Sequence, residues 1–146
     1  FDFTYDLLVY PHQLKEACSF AAKLPNVRFV LDHIAKPFIK KGETDPWSND
    51  IKTLAELPNV SCKVSGMVTE ADWYNWKKAD FAPYLDVVFE AFGSKRIMFG
   101  SDWPVCLVAG DYGQMKAVLD EYLSAFSASE KAAVMGGNAV QFYNLE

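Results

Sequence analysis

Apolar residues along this chain recur with two alternating periods. A β-rich run at Phe3 to Tyr10 is followed, after Pro11, by Leu14, Ala17, Cys18, Ala21 and Leu24, the i, i+3, i+4, i+7 spacing of one helical face. The pattern then repeats. "NVRFVLD" reads as a second strand, and Ser48 is placed to cap a helix that turns Ile51, Leu54 and Ala55 inward until Pro58. A third strand, "NVSCKVS", precedes a long loop and a helix with Phe81, Tyr84, Leu85, Val88 and Phe92 on one side, stopped by Gly93. The fourth strand lies in "RIMFGSDWPV", and its helix buries Met115, Val118, Leu119, Tyr122 and Phe126. Ser127 and Glu130 form a capping box for a short helix, which Gly136 and Gly137 break before "NAVQFYNL". Four strands are therefore predicted near residues 4–9, 27–32, 60–65 and 96–100, with helices on one outer face.

Strand-helix units in succession imply a parallel sheet with right-handed crossovers, because parallel strands need an intervening connection. Two architectures fit, an open doubly wound sheet or part of a (β/α)8 barrel. No Gly-rich phosphate loop follows any strand, which removes the best sign of a nucleotide-binding open sheet. A full barrel needs about 250 residues, so 146 supply roughly half of one. The chain reads as one partial domain over residues 1–146. It opens on Phe1 inside a strand-like run, so it is expected to be the later part of a longer protein.

Composition narrows the partners. The net charge of -5 and the lack of a Lys/Arg cluster argue against nucleic acid, whose backbone is bound by clustered cations. No apolar run approaches the ~20 residues of a membrane span. Cys18, Cys62 and Cys106 are odd in number and match neither a disulfide framework nor a C-x-x-C metal site, which suggests reduced thiols in a cytoplasmic protein. Small molecules are the expected ligands.

The strand ends carry the chemistry. "LDHIAKP" puts His33 and Lys36 just beyond the second strand, "CKVSGM" puts Lys63 and Ser65 at the third, and the fourth ends at Asp102, with Gly100 expected to let the backbone turn. In a parallel α/β sheet these carboxyl ends share one side, where ligands bind. Asp102 and His33 are therefore the candidate catalytic pair, and Lys36, Lys63 and Trp103 the candidate substrate-binding residues. Lys63, inside a barrel, requires a partner or an outward-facing stem. Ser65 has no neighbouring His in sequence and is not read as a nucleophile. His12 is expected at the surface, Trp73 and Trp76 in the core, and Asp72 as the cap of a loop helix.

These same residues carry a resemblance. "LDHIAKP", "CKVSGMVTEADW", "PYLD", "FGSDWPVCL" and the terminal "NAVQFYNL" resemble, in order, the later half of the amidohydrolase-related family of the metal-dependent hydrolase superfamily, and most of all its sugar-lactonase branch. The resemblance implies a distorted TIM barrel, with the strands here as the fifth to eighth, and hydrolysis of an aldonolactone with Asp102 as acid/base. The superfamily's H-x-H motif belongs to the first strand and is absent from this chain, so activity is expected only with an N-terminal half. Metal use is left open: a divalent ion such as zinc would draw part of its ligands from that half. Two rivals stand beside this reading. One is a metal-dependent decarboxylase of the same superfamily, and the other is an inactive half barrel that self-associates. A half barrel of either kind exposes strand edges, at Phe3 to Tyr10 and Arg96 to Phe99, so a homo-oligomer or a covering partner is expected.

Overall fold

The structure is a computed structural model that describes residues 3–145; Phe1, Asp2 and Glu146, which belong to the sequence reading of the single domain, lie outside the described residues. Four strands, β1 (Thr4–Leu7), β2 (Arg28–Leu31), β3 (Val60–Val64) and β4 (Ile97–Phe99), form one sheet in the order β1-β2-β3-β4. Every pairing is parallel, with Leu7 beside Leu31, Leu31 beside Cys62 and Cys62 beside Ile97. Helices α1 (Leu14–Ala22), α2 (Trp47–Ala55), α3 (Ala82–Phe92) and α4 (Tyr112–Tyr122) follow the strands in turn. Sequential strand order with a helix after each strand is the build of half a (β/α)8 barrel.

Strand alternation divides the sheet into two faces. Leu7, Phe29, Leu31, Val60, Cys62, Val64 and Ile97 join the large apolar core with the faces of α1 to α4. The other face holds Val30 and Met98, and on it also lie the charged groups of Asp6 and Lys63. One helix departs from the expected arrangement. The glycine pair breaks the helical path as expected: Gly136 has an extended φ of 177°, and the kink over Ala133–Gly137 separates α5 (Ala128–Ala132) from α6 (Asn138–Tyr143). Phe142 of α6 then packs on Val30 and Met98, so the last helix covers the inner face rather than the outer one.

Polar and apolar groups flank the two outer strands differently. Asn138 sends its side-chain amide to the carbonyls of Ile97 at 2.6 Å, at the start of β4, and Ser94 at 2.7 Å. The β1 edge leaves Phe3 and Tyr5 exposed.

Local details differ as well. Helix α2 begins at Trp47 after Pro46, so Ser48 sits in its first turn and donates its hydroxyl to Asp45 rather than capping the backbone. Asp72 accepts from the Tyr74 N–H at 3.2 Å, which caps a turn and not a helix. Leu24 lies beyond the end of α1 and is exposed. Trp76 packs on Phe81 as expected, whereas Trp73 is half-exposed. His12 is exposed. The three cysteines are free thiols, with Cys62 and Cys106 buried, and no described helix is long and apolar enough to cross a membrane.

Candidate active site

Beyond β2 the backbone enters the left-handed region for four residues in succession, His33, Ile34, Ala35 and Lys36, with φ of 53°, 46°, 59° and 50°. An L-residue is disfavoured there by roughly 1–2 kcal/mol, and a β-branched side chain such as that of Ile34 more than most. Tertiary contacts impose the conformation. Ile34 and Ala35 are fully buried, and the Ile34 carbonyl accepts the Trp47 indole N–H at 2.7 Å. Helix α2 thus holds the turn that presents His33. Backbone held in such regions gathers at ligand and catalytic sites, where surrounding structure over-determines it.

Asp102, three residues past Phe99, is left-handed too, with φ 58°. The turn at this strand end is made by Asp102 itself and not by Gly100, which has no left-handed φ. The two distortions aim at one another: His33 Nε2 lies 3.7 Å from Asp102 Oδ1, with both side chains more than four-fifths buried. Gly66 makes the approach possible. A Cβ at this position, itself at φ +60°, would sit 2.7 Å from His33 Nδ1.

Around this pair the sheet supplies charge. Lys63 Nζ is 2.6 Å from Asp32 Oδ1 and 3.0 Å from Asp6 Oδ2, and Tyr143 of α6 donates its hydroxyl to Asp6 at 2.9 Å. Apart from that ion pair, the buried Asp32 oxygen has no aligned hydrogen-bond donor among the described residues. Burial is the largest single influence on Lys63 and opposes its charge, yet its contacts with Asp32, Tyr143 and Asp6 together hold the ammonium above the usual lysine range. For His33, burial dominates and lowers its pKa, against the upward pull of Asp102 and Asp32. The imidazole is therefore neutral near pH 7 and can offer a lone pair.

Lys36 Nζ pairs with Glu70 at 3.2 Å and lies 5.9 Å from the Tyr10 ring centre. Trp103 stands at the surface, 64% exposed. The structure thus brings Asp102 and His33 together, places Lys63 on the inner face beneath them among carboxylates, and leaves Lys36 and Trp103 on the surrounding loops. Asp6, Glu70 and Tyr143 escaped sequence reasoning because each reaches its partner from a distant element. Their signal is the pairing need of Lys63 and Lys36, which sequence states without naming the partner.

Cavity size does not locate the site. A cavity of about 450 Å³ lies between Ile39–Gly42 and the β3–α3 connection, lined by Lys40, Asp72, Asp80 and Tyr84 among others. Neither His33 nor Asp102 borders it. An imidazole and a carboxylate meeting on distorted strand ends remain the candidate site, a combination absent from the lining of that cavity.

A half barrel carrying an imidazole-carboxylate pair at the carboxyl ends of its strands is the class of protein that fold and site define. The chain belongs to the amidohydrolase family, whose profile matches residues 2–145. It is 40% identical over 154 aligned residues to L-fucono-1,5-lactonase of Burkholderia multivorans, covering 99% of this chain and 52% of that protein. It is 39% identical over 149 residues to L-fucono-1,5-lactonase of Burkholderia ambifaria, covering 99% and 51%. A crystal structure of an amidohydrolase from Burkholderia multivorans with bound zinc superposes with a TM-score of 0.94 at 40% identity, over 99% of this chain and 54% of that one. The chain spans about half the length of the curated relatives it matches.

Proposed function

We propose that the protein to which this chain belongs is a hydrolase that opens a sugar-derived lactone, with Asp102 as acid/base and His33 beside it. The observation that carries the reading is the 3.7 Å approach of His33 Nε2 and Asp102 Oδ1, made by two left-handed strand ends. The lactonases at about 40% identity support the substrate class. Asp102 accepts a proton as water attacks the lactone carbonyl carbon. It returns that proton to the ring oxygen as the acyl C–O bond breaks, so lactone plus water gives the hydroxy acid. Lys36 and Lys63 bind substrate oxygens from the rim and the floor, and Trp103 offers its exposed ring to the sugar face.

The pair also suits a divalent ion such as zinc. Two donor atoms 3.7 Å apart can share one ion, since two bonds of about 2.0–2.2 Å span at most about 4.4 Å. Among the described residues no group of three or more His, Cys, Asp or Glu side chains converges, so His33 and Asp102 would be two of the ligands and the rest would come from elsewhere. When bound, the ion would polarise the lactone carbonyl. We infer that activity requires an N-terminal half barrel, and that this half or a second copy covers Phe3 and Tyr5 at the β1 edge. The buried free thiols favour a cytoplasmic protein.

The test is turnover of a panel of aldonolactones by the full-length protein, followed through acid release, with and without chelator. Selective opening of one or more sugar lactones supports the proposal. Inactivity on the whole panel, with or without added zinc, overturns it, and release of carbon dioxide from a carboxylated substrate would replace it with a decarboxylase.

A further inference from the structure

The third strand ends at Val64 and is followed by Ser65 and Gly66, and Ser65 is buried to 4% exposure directly beside the reactive pair. A buried hydroxyl is costly unless it is hydrogen-bonded. The partner of the Ser65 Oγ is His33 Nδ1, at 2.8 Å. That contact engages one imidazole nitrogen and leaves the other, Nε2, facing Asp102 at 3.7 Å. The surroundings are shaped to keep it so. A Cβ on Gly100 would lie 2.9 Å from the Ser65 Cβ, and a Cβ on Gly66 would lie 2.7 to 3.0 Å from three atoms of the His33 side chain. The absence of side chains at two positions therefore presses β4 against Ser65 and seats the imidazole over Gly66.

We propose that Ser65 is a positioning residue: its hydroxyl fixes the orientation of His33, so that Nε2 and not Nδ1 addresses Asp102 and the substrate. The reason is geometric. An imidazole is nearly symmetric in shape, and packing alone distinguishes its two faces poorly. A hydrogen bond to one nitrogen distinguishes them well, and because a hydroxyl can donate or accept, the acceptor-only Asp102 carboxylate then favours the proton on whichever nitrogen the hydrogen bond turns toward it. Ser65 itself touches no reacting atom and forms no covalent bond. The inference rests on the reading of His33 and Asp102 as the reactive pair, yet its first readout needs no substrate.

Only two histidines are present, His12 and His33, so ring-nitrogen spectra of the ¹⁵N-histidine-labelled full-length protein are simple to assign, with His12→Gln removing the second set. At mildly alkaline pH without added metal, His33 should show one dominant neutral tautomer, and Ser65→Ala should show a mixture. In the lactone assay Ser65→Ala should lower kcat by about 10–100-fold with KM little changed, the usual consequence of losing the partner that orients a ligand or base. Ser65→Cys, which keeps a weaker donor of nearly the same size, should fall between the two and carries the test if Ser65→Ala fails to fold. Identical ring spectra in all three proteins would overturn the proposal. A wild-type protein that opens no lactone but whose tautomer still depends on Ser65 would sink the lactonase reading and leave this one standing.

Discussion

The two ends of the sheet use polar side chains in opposite ways. At the amino ends, side chains hold backbone: the Arg96 guanidinium reaches the carbonyls of Ala55, Leu57 and Val60 at 2.9–3.0 Å. The Asn59 amide spans to Leu24 and Val27, Asn138 to Ser94 and Ile97, and Arg28 to Phe142. At the carboxyl ends, backbone holds side chains. His33 to Lys36 and Asp102 adopt disfavoured left-handed conformations, and what they gain is the meeting of an imidazole with a carboxylate. One end contributes stability and spends it at the other, which is the division of labour expected of a barrel with its chemistry at the carboxyl face.

The largest expected effect breaks this comparison at its reactive end. Asp102→Asn keeps size and hydrogen bonding but cannot take a proton from water, so kcat of the full-length protein should fall by about 10²–10⁴-fold while its melting temperature stays within a few degrees. Turnover near the wild-type rate would remove Asp102 from its assigned role.

Arg96→Met is the converse. It retains much of the aliphatic stem packed near Phe92 and strips the donors from three carbonyls, which should cost about 2–4 kcal/mol of stability in urea denaturation. Turnover per folded molecule should stay unchanged. A large fall in kcat without a fall in stability would show that the two ends are not separable.

A matched pair of substitutions sharpens the contrast. Ala21 is buried in the right-handed backbone of α1, and Ala21→Gly should destabilise by about 1 kcal/mol. Ala35 is equally buried but left-handed, and Ala35→Gly relieves about 1–2 kcal/mol of strain against about 0.5–1 kcal/mol of added chain entropy. Both exchanges also lose a buried methyl, so Ala35→Gly should cost clearly less than Ala21→Gly. Equal losses at both positions would mean that the left-handed turn carries no strain.

The smallest expected effect is a pH slope in the metal-free protein. The pKa of His33 is lowered in the folded state, chiefly by burial, so between that pKa and the ordinary value near 6.5 the unfolded chain binds the extra proton. Stability should fall as pH drops below about 6.5, and the part due to His33 should vanish in His33→Gln. Parallel stability curves for the two proteins from about pH 7 to pH 5 would show that His33 does not contribute.

Much of the fold was legible because period and punctuation are local properties. Leu14, Ala17 and Ala21 mark the buried face of α1 at helical spacing, and Gly93 stops α3, with no knowledge of what they pack against. Capping at Ser127 is likewise written within four residues. Placement of α6 was not legible. Its apolar residues fit either sheet face, and only contact of Phe142 with Val30 and Met98 selects the inner one.

Of the candidate site, the sequence by itself determined the cast: a His, an Asp and two lysines at the ends of parallel strands, because strand ends follow from hydrophobic alternation and parallel pairing aligns them. The family was readable in the same segments. Only the tertiary structure decided the cast's relations. Lys63 pairs with Asp6 and Asp32 across three strands, Lys36 with Glu70, and Ser65 with His33, each a contact between residues 31 or more positions apart or on different strands. The left-handed run at Ile34 and Ala35 lay furthest from prediction, since local preference opposes it and burial together with the Trp47 hydrogen bond enforces it. Sequence encodes which conformations are cheap, whereas a site built on costly ones exists only where packing from elsewhere in the chain over-rules them.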